Sequence, residues 1–180
     1  VFMCQVNPMD KNGFFNFGPQ CSHSKALCDR AKIVIVEVNK NQPRCLGGYE
    51  EAIHISQVDY IVDGDNPPLT QIPSPPISDV DRKVAFYIVE EMKNGSCSQL
   101  GIGGMPNAIA DALIDKKDLG IHTEMLTTNM MKLFKAGVIT GRKKQTHKGK
   151  MVCTFIMGSK ELYEFADDNP SVEVLAGSYT

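Results

Sequence analysis

Short runs with strand-like spacing alternate along this chain with stretches of helical spacing. Val1 to Val6 lie inside an apolar run and read as a strand, followed by a turn signal at Asp10-Lys11-Asn12-Gly13 and a short helix over Ser22 to Arg30. Lys32-Ile33-Val34-Ile35-Val36-Glu37-Val38 is nearly all β-branched, the composition of a strand buried on both faces of a parallel sheet. Further on, Ser78 or Asp79 can cap a helix whose apolar positions Val80, Val84, Tyr87, Ile88 and Met92 recur at helical spacing as far as Asn94-Gly95. Strands are expected over Cys97 to Ile102, Leu119 to Thr123 and Met151 to Met157. Helices are expected over Asn107 to Ile114, Asn129 to Ala136 and Ser159 to Ala166, with a last strand-like stretch at Val172 to Ala176. Ser159 supplies a helix cap, while Leu162 stands where a capping box needs an acid.

This alternation predicts an α/β fold with mostly parallel sheets and flanking helices. Five of the ten prolines fall between Pro67 and Pro76, where helix and central strand are both disfavoured and an extended linker between two α/β parts is expected. Both ends of the chain lie in or beside apolar, strand-like stretches, which predicts a segment of a longer protein.

Composition narrows the function. A chain of 180 residues with 42% hydrophobic and 22% charged is not disordered as a whole. Nineteen Lys and Arg against 21 Asp and Glu leave a net charge of −2, with no basic excess to neutralise a phosphate backbone, so nucleic acid is not expected as a main partner. No apolar run approaches the roughly 18 residues of a membrane span, and no leader pattern opens the chain. A cytoplasmic protein with no membrane partner is expected. Cys4, Cys21, Cys28, Cys45, Cys97 and Cys153 form no CxxC pair, and the four histidines show no metal-binding spacing. Reduced thiols used as small apolar residues, and no metal site, are the expectation.

Chemistry concentrates in two places. Gln99-Leu100-Gly101-Ile102-Gly103-Gly104-Met105-Pro106-Asn107-Ala108 puts glycines where a strand hands over to a helix, so backbone N–H groups can approach a bound anion. As a dinucleotide fingerprint the stretch fails at Pro106, and no Gly-Lys-Ser/Thr follows to make a P-loop. A tight turn without any ligand satisfies the same pattern. Glu124 follows the next strand, and in open α/β sheets ligands gather outside the carboxyl ends of strands. Its residue type fits a ribose-binding acid, a carboxylate nucleophile or a plain surface acid. His122 alternates onto the same expected face and is read first as a core or supporting histidine. The basic run Arg142-Lys143-Lys144 to His147-Lys148 and Lys150 is read as solvated loop charge, and Met125, Met130 and Met131 as helix packing.

Gln5-Val6-Asn7-Pro8-Met9-Asp10-Lys11-Asn12-Gly13, Pro43-Arg44-Cys45-Leu46-Gly47-Gly48, Val62-Asp63-Gly64-Asp65-Asn66-Pro67-Pro68-Leu69, Gln99 to Asn107 and Asp118 to Met125 together resemble the acetyl-CoA hydrolase/transferase family of class I CoA-transferases. The resemblance runs in order over essentially the whole chain. It implies that residues 1–65 close an N-terminal CoA-transferase domain, 66–77 link it, and 78–180 open a C-terminal domain. It implies Glu124 as the nucleophile that becomes a glutamyl-CoA thioester, and Gly101, Ile102, Gly103, Gly104 and Met105 as the coenzyme A-binding stretch. The implied reaction moves coenzyme A between a short-chain acyl-CoA (acetyl-, butyryl- or 4-hydroxybutyryl-) and a carboxylate such as acetate, with no permanently bound cofactor. Acyl-CoA hydrolysis at the same site and dinucleotide binding are the alternatives. Family chains are more than twice this long, which implies a nucleophile without its complete pocket here, little activity for the isolated chain and a homo-oligomeric parent.

Overall fold

The computed structural model describes residues 1–48 and 50–180. The first part runs β1 (Phe2–Val6), β2 (Phe14–Asn16), α1 (Ser24–Arg30), β3 (Val34–Val38), β4 (Ala52–His54), a 3₁₀ turn at Ile55–Gln57, and β5 (Tyr60–Asp63). β3 is the middle of a three-stranded parallel sheet, with Cys4 beside Val36 on β1 and Ile61 beside Val36 on β5. Val6, Val34 and Val36 close a core with Phe15, Phe17, Cys28 and Ile53. The expectation that this strand is buried on both faces does not hold. Ile35, Glu37 and Val38 are only half-buried, because the second face carries the Gln5 Nε2 to Glu37 Oε1 hydrogen bond (3.1 Å) rather than a packed layer. The antiparallel pairing of β2 with β4, Phe15 opposite Ile53, joins segments far apart in sequence.

Residues 64–78 contain neither helix nor strand. Prolines remove N–H donors, so the segment is held mainly through its carbonyls and flanking side chains. Asn39 Nδ2 donates to the Pro67 carbonyl (2.9 Å), the Tyr163 hydroxyl to that of Thr70 (2.7 Å), and the Ile72 N–H to Gly158 (3.1 Å). Leu69 and Ile77 pack against the second core.

The second part runs α2 (Asp79–Glu91), β6 (Cys97–Ser98), α3 (Gly104–Ala112), β7 (Gly120–His122), β8 (Met125–Leu126), α4 (Thr128–Lys135), β9 (Met151–Cys153), β10 (Phe155–Ile156), α5 (Lys160–Ala166) and β11 (Val172–Val174). β11, β9, β7 and β6 form a parallel sheet in that order, and β8 and β10 form a smaller parallel pair beyond it. The fold class is therefore α/β with mostly parallel sheets. Leu126, Met130, Met131, Met151 and Leu162 are fully buried in its core.

Ser78 caps α2 reciprocally, its hydroxyl accepting from the Asp81 N–H (3.1 Å) and its own N–H donating to the Asp81 carboxylate (2.9 Å). The helix packs through Ala85 and Val89, with Met92 just past its end, leaving Val80 and Tyr87 mostly exposed. Leu119 to Thr123 and Val172 to Ala176 are trimmed to three-residue strands, and two other predicted strands depart further from their sequence patterns. Cys97 to Ile102 pairs over two residues only, because the chain turns at Gly101 to Gly103, and α3 begins at Gly104, three residues early. Pro106 is tolerated there because it lies in the first helical turn. Met151 to Met157 breaks at Thr154, where the Glu124 carbonyl accepts from both Thr154 N–H (2.9 Å) and Phe155 N–H (3.1 Å).

The basic run is not uniformly solvated. Lys144 is buried, its ammonium donating to the carbonyls of Ile121 and Lys150 (2.8 Å each), and Lys150 reaches the Pro170 carbonyl. The loop folds back over the face of β7, where Gly120 leaves room for the lysine stem.

Candidate functional site

The carboxyl ends of β6 and β7 point the same way, with Cys97 beside Gly120 and Ser98 beside Ile121. The glycine stretch after β6 and Glu124 after β7 therefore lie on one edge of the sheet. A cleft of about 610 Å³ opens at this edge. Gly101, Ile102 and Gly103 line it, together with Pro73 to Pro75 of the extended segment, Thr127 to Asn129 and Lys132 of α4, and Gly158 and Ser159 before α5.

Three helices thus begin around one cavity. Neither Gly103, the residue before α3, nor Thr127, the residue before α4, makes a side-chain capping bond. The N–H groups of Gly104 and Met105, and of Thr128, Asn129 and Met130, consequently lack intrahelical acceptors. Their partial positive charge at the cleft's edge, with the exposed Lys132 ammonium, is of the sign that suits an anion. Side chains fix its walls: Asn129 Nδ2 donates to Asn107 Oδ1 (2.7 Å), and Asn107 Nδ2 to the Ser74 hydroxyl (2.9 Å).

The three glycines have different physical roles. A Cβ at Gly101 would meet no heavy atom within 4 Å, so this backbone is open to an approaching ligand. Gly103 has φ +118° and ψ 178°, a region closed to side-chain-bearing residues. Gly104 is a packing position, since a Cβ would lie 2.8 Å from Asp81 Oδ2 at the start of α2. Gly103→Ala is expected to cost about 1–3 kcal/mol of folding stability, and Gly101→Ala less than about 0.5 kcal/mol. Urea midpoints of the two variants check this; equal losses would refute the assignment.

Met105 is on α3 and outside the cleft lining. Glu124 is also outside that lining. It sits exposed at the bend between β7 and β8, and among the described residues its carboxylate makes no hydrogen bond or ion pair. The bend is held by its neighbours: Thr123 is buried with its hydroxyl donating to the Met125 carbonyl (3.1 Å), while the Glu124 carbonyl is occupied by the two amides named above. Backbone is fixed and carboxylate is free.

Strand alternation ends at His122, so it does not carry His122 onto the Glu124 face as expected from sequence. The His122 ring lies 6.2 Å from that of His147 and 6.0 Å from that of Tyr179. His147 is held in turn by the Glu173 carboxylate and the Tyr179 hydroxyl, at 2.6 Å each. Burial, then the charges of Lys144 and His147, push the His122 pKa below its ordinary 6.5. The fold thus disfavours imidazolium, and the unfolded chain binds more protons as pH falls from 6.5 through the lowered folded value. Stability is expected to drop across that window, measured by urea midpoints at neutral and mildly acidic pH. His122→Gln should lose less over the same interval; an unchanged loss would assign the dependence elsewhere.

Sequence reasoning missed the cleft residues on α4 and before α5. Thr127 and Ser159 stand at helix starts, a legible signal, but their convergence on the glycine turn is a product of the tertiary fold.

Residues 1–73 match the family described as acetyl-CoA hydrolase/transferase N-terminal domain. The chain is 49% identical, over its whole length, to butyryl-CoA:acetate CoA-transferase of Anaerostipes caccae, and 43% identical over 99% of its length to 4-hydroxybutyrate coenzyme A transferase of Clostridium kluyveri. It spans 41% of the length of each of these relatives. Among solved structures, RipA from Yersinia pestis superimposes with a TM-score of 0.93 at 37% identity, over 99% of this chain and 41% of that one. A 4-hydroxybutyrate CoA-transferase from Porphyromonas gingivalis gives 0.91 at 40% identity, over 98% and 44%.

Proposed function

We propose that this chain, which belongs to the acetyl-CoA hydrolase/transferase family, supplies the nucleophile and part of the coenzyme A cleft of an acyl-CoA:carboxylate CoA-transferase. The observation that carries the proposal is the Glu124 carboxylate, unpaired among the described residues and exposed on the same sheet edge as a cleft where α3 and α4 begin without side-chain caps. The relatives' names support short-chain substrates of the butyryl and 4-hydroxybutyryl type. The end of the family match at residue 73 and the separate core of the first part support a division into two units at residues 66–77.

In this reading Glu124 attacks the thioester carbonyl and expels coenzyme A thiolate, leaving a mixed anhydride. The thiolate attacks the glutamyl carbonyl of that anhydride, releasing the first acid and forming a glutamyl-CoA thioester. A second carboxylate reverses both steps. Thioester and anhydride carry similar energy, so the protein's task is to position the groups, stabilise oxyanions and exclude water. The free N–H groups at the starts of α3 and α4 suit the phosphates of coenzyme A, and the open backbone at Gly101 suits its close approach. Water reaching the acyl-enzyme would turn the same site into a hydrolase.

Equilibrium binding to the longer protein that carries this sequence tests the cleft. Coenzyme A is expected to bind, with an affinity that falls as salt rises, and NAD is not. Selective binding of NAD would transfer the glycine turn to a dinucleotide and refute the proposal.

A further inference from the structure

Beside the bend that carries Glu124 lies a cluster of ionisable side chains outside the cleft lining. His122 in β7 and Glu173 in β11 stand in register on either side of Val152 of β9, so their side chains leave the same face of the sheet. The loop that folds back over β7 brings His147 to both. Its Nδ1 meets the Glu173 carboxylate and its Nε2 the Tyr179 hydroxyl, at 2.6 Å each. A carboxylate only accepts, so in the neutral ring Nδ1 carries the hydrogen and Nε2 accepts from Tyr179. One tautomer therefore gives the relay one direction. His147 itself has φ +49°, a left-handed conformation that a residue with a side chain keeps where its surroundings hold it.

Tyr179 belongs to the segment after β11, and this segment reaches the Glu124 bend by two separate routes. Through side chains, the Tyr179 ring lies 6.0 Å from that of His122, which stands two residues before Glu124. Through the backbone, the Gly177 N–H donates to the Ser22 carbonyl (2.7 Å), the Ser22 N–H to that of Thr154 (3.0 Å), and the Thr154 N–H to that of Glu124 (2.9 Å). Gly177 also sits directly on Thr154, since a Cβ there would lie 3.5 Å from the Thr154 hydroxyl. The Tyr179 and Thr180 N–H groups turn back to the Ala176 carbonyl (3.0 and 3.3 Å), closing the segment on itself. Tyr179 is 53% exposed, so burial does little to seat its side chain and the bond to His147 directs it.

We propose that Glu173, His147 and Tyr179 are positioning residues, whose relay seats residues 176–180 and the His122 ring against the bend and thereby aims the Glu124 carboxylate at an acyl thioester. The proposal rests on Glu124 as the nucleophile. The relay acts through the bend and not on the substrate. Hydrogen bonds at Thr123 and Thr154 fix the backbone there, whereas the direction of a carboxylate without a partner depends on what packs around its base.

The test follows glutamyl-CoA formation in the longer protein, mixed with saturating acyl-CoA without acceptor carboxylate, quenched, and read as the mass of the adduct. The first-order rate constant separates aim from folding. A merely structural role lowers the amplitude, because fewer molecules are folded, and leaves the rate constant unchanged. Tyr179→Phe keeps the ring beside His122 and removes only the hydroxyl. It is expected to lower the rate constant about tenfold at full amplitude, a part of the roughly 100-fold that a displacement of about 1 Å costs. Glu173→Ala should slow the step equally, whereas Glu173→Gln, whose amide oxygen still accepts from Nδ1, should recover most of the rate. A wild-type rate constant in Tyr179→Phe, or Glu173→Gln as slow as Glu173→Ala, would overturn the relay and leave the nucleophile standing. An adduct that is absent from the wild type, or that persists in Glu124→Gln, would overturn the nucleophile and the relay with it.

Discussion

Glu124→Gln, introduced into the longer protein that carries this sequence, is expected to lower acyl-CoA:carboxylate transfer by about four orders of magnitude or more, the scale seen when a covalent nucleophile is removed. The amide has no oxyanion to attack a thioester and can form neither the anhydride nor the glutamyl-CoA thioester. Glu124→Asp keeps the charge but withdraws it by one methylene, and a displacement of roughly 1 Å costs about 100-fold when reacting atoms must meet in line. Stability should hardly change, because the Glu124 side chain is exposed and the backbone bend is fixed by Thr123 and by the amides of Thr154 and Phe155. A plain surface acid predicts near-wild-type transfer in both variants. Borohydride reduction after incubation with acyl-CoA, followed by peptide mapping, checks the covalent step: label is expected on Glu124, and label on another carboxylate would reassign the nucleophile.

The sequence pattern carried the parallel sheets and the serine-capped helix starts, because periodicity and capping are local. Ser78 and Ser159 cap helices within one residue of their expected starts. What escaped depends on distant segments. β2 and β4 are three residues each, too short for a periodic signal, and are paired across the intervening α1 and β3. β5 is an edge strand whose Tyr60, Ile61 and Val62 stay exposed, so no alternation marks it. The glycine turn and Glu124 were legible as strand-end residues, whereas the cleft beside them needs α4 and α5 delivered to the same edge. Lys144 shows the opposite failure. A lysine in a basic run reads as solvated, and only the fold-back of its loop reveals two carbonyls waiting for its ammonium.

Lys144 and Gly120 are therefore expected to act as one unit. Lys144 is 5% exposed, and its stem crosses Gly120 so closely that a Cβ there would lie 2.6 Å from Lys144 Cγ. Lys144→Ala removes the stem and two charge-assisted hydrogen bonds, leaving the Ile121 and Lys150 carbonyls without that donor. The expected loss is about 2–4 kcal/mol, offset in part by relief of the cost of burying an ammonium, the same burial that lowers the Lys144 pKa. Lys144→Met retains most of the stem and should lose roughly half as much. Gly120→Ala should cost about 1–3 kcal/mol, because the lysine is pinned at its far end and cannot swing away without breaking its bonds. Once Lys144 is alanine that clash disappears. The double variant is then expected to be more stable than the sum of the single losses by at least about 1 kcal/mol. Urea unfolding of the four proteins closes the cycle. Additivity within about 0.3 kcal/mol would mean that the lysine stem does not rest on Gly120, and that the loop is held over β7 by its backbone alone.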